Sequence, residues 1–119
     1  MGSVASRLNV RVQSGVTRVE FVDRNILDET NIAQIGEELG RLVDGQTTPK
    51  LLISFKGVEH LSSAALGTLI TVNNRVKGKD GQLRLSDIDP QIYEVFVITK
   101  LNRLFHIHDS AEKALASFS

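Results

Sequence analysis

The stretch that most constrains the fold is 51–76, LLISFKGVEHLSSAALGTLITVNNRV. Its opening run, Leu51-Leu52-Ile53-Ser54-Phe55, shows no polar alternation, the pattern of a strand covered on both faces. A short polar bend, Lys56 to His60, follows it. Ser62-Ser63 then stands directly before a helix-period pattern. Ala65, Leu69, Val72 and Val76 form one track, and Leu66 and Ile70 the next. A buried strand that feeds a helix through a short loop places the helix N-terminus at the carboxyl edge of the sheet. Partners and ligands usually dock at that edge in open α/β sheets. The spacing therefore predicts a helix over 63–76 with its serine pair displayed where it can be reached.

The flanking sequence completes an α/β pattern. Residues 7–12 and 18–22 alternate polar and apolar around Ser14-Gly15, which reads as a hairpin with one face in the core and one toward water. Asp28 and Thr30 are candidate caps for a first helix carrying Ile32, Ile35, Leu39, Leu42 and Val43. Gly36 and Gly40 interrupt that helix and imply close packing on the sheet. Lys77 to Gly81 ends the next helix with glycines suited to a left-handed cap and turn. Gln82 to Ser86 alternates as a short strand. Asp89-Pro90 opens a third helix whose apolar positions are Ile92, Val95, Phe96 and Ile98. Leu104 to Ile107 is a last strand. Asp109-Ser110-Ala111-Glu112 resembles a capping box with an aspartate cap, and Ala111, Ala114, Leu115 and Phe118 make the apolar side of a terminal helix. The order is β-β-α-β-α-β-α-β-α: one α/β domain over 7–119, with a mixed, mostly parallel sheet and an antiparallel edge hairpin.

Composition narrows the chemistry. The chain has 119 residues, a length suited to one domain. The lack of cysteine excludes disulfides, thiolate metal sites and a cysteine nucleophile. Fourteen basic residues balance fourteen acidic ones, so net charge gives no footprint for nucleic acid or anionic lipid. With no long apolar run and no signal-peptide pattern, a soluble cytoplasmic protein is expected. Met1 to Ser6 fits the short N-myristoylation pattern, but a Gly-Ser start reads better as a disordered terminus or cloning remnant. No glycine-rich phosphate loop and no metal-ligand spacing occurs. His106 and His108, two apart, read as edge histidines rather than ligands. His60, two residues before Ser62, lacks the orienting group and oxyanion hole that a Ser-His catalytic pair requires. The residues predict neither a cofactor nor an enzyme.

The serines admit two uses. Either Ser62 or Ser63 can cap the helix through its hydroxyl. Either can also be a phosphorylation site. A helix N-terminus tolerates the added charge, while Ala64, Ala65 and Gly67 let a partner's surface approach. Phosphorylation would then change binding without changing the fold.

The segment Ser62-Ser63-Ala64-Ala65-Leu66-Gly67-Thr68-Leu69 and the later Leu83 to Ser86, Asp89-Pro90, Thr99-Lys100-Leu101 and Glu112 to Leu115 resemble the STAS domain, and within it the free-standing anti-sigma-factor antagonists. The usual segment of that family reads Asp-Ser-Ser/Thr-Gly-Leu-Gly, its first serine or threonine being the phosphoacceptor. Laid on this chain the acceptor is Ser63, with Ser62 as the lesser choice. Ser62 replaces the family's aspartate and Ala65 its glycine. The resemblance implies a partner-binding patch of Ser62, Ser63, Ala64, Ala65 and Gly67. It also implies an anti-sigma factor that is itself a serine kinase, which switches off binding by phosphorylation, and a phosphatase that restores it. The alternatives are a phosphorylation-independent adaptor, in a signalling complex or beside a transporter, and a nucleotide- or anion-binding domain using the helix N-terminus.

Overall fold

A computed structural model describes residues 8–118. The expectation for residues 1–6 lies outside the described residues. Strands β1 (Leu8–Gln13), β2 (Val16–Phe21), β4 (Lys50–Ser54), β6 (Gln82–Ser86) and β7 (His106–His108) form one sheet in the order β1-β2-β4-β6-β7. Only β1 and β2 are antiparallel; the other pairs are parallel. Helices α1 (Glu29–Asp44), α2 (Ser63–Gly78), α3 (Pro90–Ile98) and α4 (Ala111–Ala116) connect and cover the strands, and a short 3-10 turn spans Leu101–Arg103. The predicted mixed, mostly parallel α/β architecture is thus the observed one. Two short strands join it: β3 (Asn25–Ile26) pairs in parallel with β5 (His60–Leu61) as a separate clip. Two-residue strands have too few positions to show a period, so the sequence reads both as loop.

The main core lies between α1, α2 and one sheet face, with Val19, Phe21, Leu51, Ile53, Phe55, Leu83 and Leu85 pointing toward the helices. A smaller core on the other face holds Val16, Leu52, Ala111 and Ala114. This two-sided cover explains the unbroken apolar run of β4. Asp28 caps α1 by accepting from the Thr30 amide at 2.8 Å, and Asp89 caps α3 from the Gln91 amide at 2.9 Å. The Arg75 guanidinium donates to Asp44 Oδ2 at 2.7 Å, and Lys79 Nζ donates to the carbonyls of Val43 and Asp44, fastening the end of α1 to α2.

Several local expectations are corrected. Gly36 and Gly40 allow close approach of α1 to α2, not to the sheet: a Cβ on Gly36 would lie 3.1 Å from Thr68 Cγ2, and one on Gly40 would strike the Arg75 guanidinium. The left-handed residue after α2 is Asp80, at φ 56°, and not a glycine. Ser110, not Asp109, caps α4, its hydroxyl accepting from the Lys113 amide at 3.2 Å, while Asp109 pairs with the Lys113 ammonium. Of the apolar positions of α3 only Ile92 and Phe96 are buried; Val95 and Ile98 are exposed, because no element covers that side of the helix. The hairpin also departs from expectation. Leu8 is buried, but Val10 and Val12 on the same face of β1 are exposed, since the helical layer does not extend over the edge strand.

Candidate functional site

The loop from β4 to α2 is held at both ends. At its start the Phe55 amide donates to the Ser86 carbonyl at 2.8 Å. The hydroxyls of Ser54 and Ser86 both donate to Asp87 Oδ2, at 3.2 and 2.8 Å. Both serines are fully buried, and Asp87 sits at φ 58°, a left-handed conformation that aspartate tolerates better than most side chains. This clamp ties the carboxyl ends of β4 and β6 together, and sequence reasoning missed it. Its signal was a serine ending each of two strands, but their pairing, Ser54 with Ser86, exists only in the sheet register. A turn over Phe55–Val58 follows, closed by the Val58 amide on the Phe55 carbonyl at 2.9 Å, with Gly57 at φ 86° in its third position.

The far end of the loop is held by the clip. The amides of Glu59 and His60 donate to the Arg24 carbonyl at 2.7 and 3.2 Å, and the Ser62 amide donates to the Ile26 carbonyl at 3.1 Å. These bonds set where α2 begins. Ser62 is its N-cap: its hydroxyl accepts from the Ala65 amide at 3.2 Å, and its carbonyl accepts from the Leu66 amide at 3.2 Å. Ser63 is the first helical residue and is exposed, and its hydroxyl makes no hydrogen bond among the described residues. The two readings of the pair are thereby divided between them: Ser62 caps and Ser63 is displayed.

Ala64 and Gly67 are exposed beside Ser63, and no acidic residue stands in the first turn. Ala65 does not belong to this surface. It is buried, facing an apolar gap lined also by Phe21, Ile26, Ile32, Ile35 and Leu61, because the third residue of α2 already points at the core. Next to the patch, a shallow cleft of about 140 Å³ runs between α2 and α3, lined by His60, Leu61, Leu66, Gln91, Ile92 and Val95. The sequence pointed to the serines but not to this cleft, because only the fold brings α3 beside Leu66.

No histidine bonds to either serine. His60 is exposed on β5, and His106 and His108 lie at the far edge of the sheet on β7. The His106 imidazole is held below its usual pKa by desolvation, and further by the positive charges of Arg84, His108 and Lys77. Among the described residues no group of histidine and carboxylate side chains could hold a metal ion, and no helix is long and apolar enough to cross a membrane.

The family model of the STAS domain matches residues 7–114, nearly the whole chain. The chain belongs to the STAS domain family. A Bordetella bronchiseptica protein named as an anti-sigma factor antagonist, BtrV, is 26% identical over 95 residues, covering 80% of this chain and 81% of that protein. An anti-sigma-factor antagonist (STAS) domain protein from Planctomyces limnophilus superposes with a TM-score of 0.85 at 26% identity, over 92% of this chain and 96% of that one. The Bacillus cell fate determinant SpoIIAA, solved in its phosphorylated form, superposes with a TM-score of 0.69 at 16% identity, over 92% of this chain and 96% of its own.

Within this STAS domain the serine in place of the family's aspartate still performs a capping task, since both side chains offer an oxygen to a first-turn amide. The exchange replaces a charged, acceptor-only carboxylate with a smaller neutral hydroxyl. A measurable asymmetry follows. Ser62→Ala should cost about 1 kcal/mol through loss of the cap. Ser63→Ala should stay within about 0.5 kcal/mol of the parent, as exposed positions without a bonding role do. Parallel urea titrations of the two variants check this, and equal losses would show that Ser63 also supports the helix.

Proposed function

We propose that this STAS domain is an anti-sigma-factor antagonist: a binding module whose exposed Ser63 patch docks on an anti-sigma factor with serine-kinase activity and is released when Ser63 is phosphorylated. The observation that carries the reading is the position of Ser63, exposed at the first residue of α2 with a hydroxyl that makes no hydrogen bond among the described residues, near the exposed Ala64 and Gly67. A kinase can reach this hydroxyl without unfolding any element. The amides of Ser63 and Ala64, at the positive end of the helix, have no acceptor among the described residues and tolerate a phosphate there. The same phosphate adds about −1.5 to −2 charges to a surface of small side chains beside a shallow cleft of mixed lining, which includes Glu59, His60 and Gln91 as well as Leu61 and Leu66. A partner packed closely on that surface would have to desolvate the charge, so binding fails while the fold persists. Phosphorylated SpoIIAA supports the reading as a protein of this fold that accepts the modification. A phosphatase completes the cycle. The domain works in the cytoplasm as substrate and ligand, not as an enzyme.

The test uses the cognate kinase, ATP and magnesium, with phosphate mapped by mass spectrometry and partner affinity measured by calorimetry. Label is expected on Ser63 and is lost in Ser63→Ala, which keeps partner affinity. Ser63→Asp is expected to weaken binding at least about tenfold, the equivalent of roughly 1.4 kcal/mol. Partner binding without any label on Ser62 or Ser63 would replace the switch with the phosphorylation-independent adaptor.

A further inference from the structure

Asp87 stands where two chain segments leave the carboxyl edge of the sheet side by side. Ser54 and Ser86 are partners in the β4–β6 register, and their hydroxyls meet on a single oxygen, Asp87 Oδ2. An ionised carboxylate only accepts, so each hydroxyl turns its one proton toward it. The lone pairs of Ser54 Oγ are then left to accept, and the Lys56 amide reaches one of them at 3.4 Å. A directed relay results, from the Lys56 amide through the Ser54 hydroxyl to the Asp87 carboxylate. Both serines are fully buried, so water cannot stand in for the carboxylate as their acceptor.

From this origin the two segments diverge and meet again. One runs from Lys56 through the turn to Glu59, His60 and Leu61, and on to Ser63 at the start of α2. The other runs from Asp87 through the half-buried Ile88 to Asp89, the cap of α3, and on to Gln91, Ile92 and Val95. Together with Leu66, these residues form the walls of the cleft beside Ser63. We infer that Asp87 is a positioning residue for the serine site: it holds both segments at their common origin, and so gives the cleft one width and Ser63 one presentation. It acts through Ser54 on one side and, on the other, through its own backbone two residues ahead of the α3 cap. Its effect on phosphorylation rests on the reading of Ser63 above, whereas the coupling of the two segments rests on geometry alone. The backbone supports the same role. Asp87 sits at φ 58°, where glycine would serve the turn at no steric cost, yet the position carries the acceptor that the two hydroxyls require. The β4–β6 ladder and the bond from the Phe55 amide to the Ser86 carbonyl do not involve the carboxylate, so its removal loosens the two exits while the sheet stays paired.

Three variants separate positioning from simple support of the fold. Asp87→Gly keeps the left-handed backbone and deletes the acceptor. Asp87→Asn keeps an acceptor oxygen and tolerates the same backbone. Combining Asp87→Gly with Ser54→Ala and Ser86→Ala removes the stranded hydroxyls as well, so stability returns without the clamp. Hydrogen exchange on the full chain reads the coupling with no partner present. Amides of 56–63 and of 91–95 should exchange about tenfold faster, both segments together, in Asp87→Gly and in the triple variant, and near the parent rate in Asp87→Asn. With the cognate kinase, ATP and magnesium, kcat/KM for labelling Ser63 should fall at least about tenfold in the same two variants and recover in Asp87→Asn. A triple variant that matches the parent in a urea titration and is also labelled as efficiently as the parent overturns the proposal, since support of the fold would then be all that Asp87 provides. Unchanged exchange in both segments, or faster exchange in one segment alone, overturns it too. Absence of label on the parent chain defeats the phosphorylation reading by itself, and the exchange rates then decide the coupling.

Discussion

Phe55→Ala is expected to destabilise the domain by about 3–5 kcal/mol, the range for removing a buried phenyl ring. Phe55 is completely buried and sits in the middle of a run of rings. Its centroid is 5.2 Å from that of Phe21 at an interplanar angle of 50°, and 6.5 Å from that of Phe96 in an edge-on arrangement; Phe96 in turn meets Phe105 at 6.0 Å. Deleting the ring opens a gap that touches strand and helix partners at once, so no single element can move to fill it. Against a total stability of about 5–15 kcal/mol for a domain, the loss is a large fraction. Urea titration checks it: the midpoint should fall with little change in slope, since the surface exposed on unfolding barely changes. A loss below about 1 kcal/mol would mean that the neighbouring rings collapse into the space. Phe55 is also the first residue of the loop that ends at Ser63, so the same variant should loosen the approach to α2 and weaken partner binding before the domain unfolds.

Gly81→Ala is the second large effect, and its origin is contact rather than conformation. A Cβ at residue 81 would strike the carbonyl oxygen of Pro49 and lie 2.8 Å from Pro49 Cγ and 2.9 Å from Val76 Cγ1. The carbonyl cannot retreat freely, because it accepts from the Gln82 amide at 2.8 Å beside the first rung between β4 and β6, Lys50 with Gln82. The Gly81 amide is itself tied to the Val76 carbonyl at 2.9 Å. Either the rung or the end of α2 must shift, at an expected cost of about 1–3 kcal/mol or more. Gly78→Ala is the matched control. Nothing lies within 4 Å of a Cβ there and the residue is helical, so the substitution should be neutral or stabilising by up to about 1 kcal/mol. Thermal melts of the two variants should move in opposite directions or differ clearly in size. A common shift would show that the Pro49 strand end yields without cost.

Much of the architecture was legible because periodicity reports how an element meets its core. The unbroken Leu51-Leu52-Ile53 run announced a strand with both faces covered, and helices on both sides supply the cover. The 3.6-residue track through Ala65, Leu69, Val72 and Val76 is the buried stripe of α2. Asp28 and Asp89 cap where their positions suggested, since a cap needs only the amides of its own helix. Residues whose role depends on a distant neighbour were not legible. Asp87 receives the hydroxyls of Ser54 and Ser86 across two strands, and the cleft beside Ser63 requires α3 to pack next to Leu66.

By itself, then, the sequence determined the elements of the main sheet and its helices, their order, the largely parallel sheet and the exposed start of the second helix, but not the β3–β5 clip. These rest on local hydrophobic period and on capping chemistry, both of which act within a few residues. The tertiary structure alone decided which apolar faces would find a cover. It buried Ala65 and left Val10, Val12, Val95 and Ile98 in solvent. It also gave the cap to Ser62 and left the hydroxyl of Ser63 open. Apolar side chains carry the preference for burial in the sequence, but whether a layer reaches them is fixed by where the other elements stop.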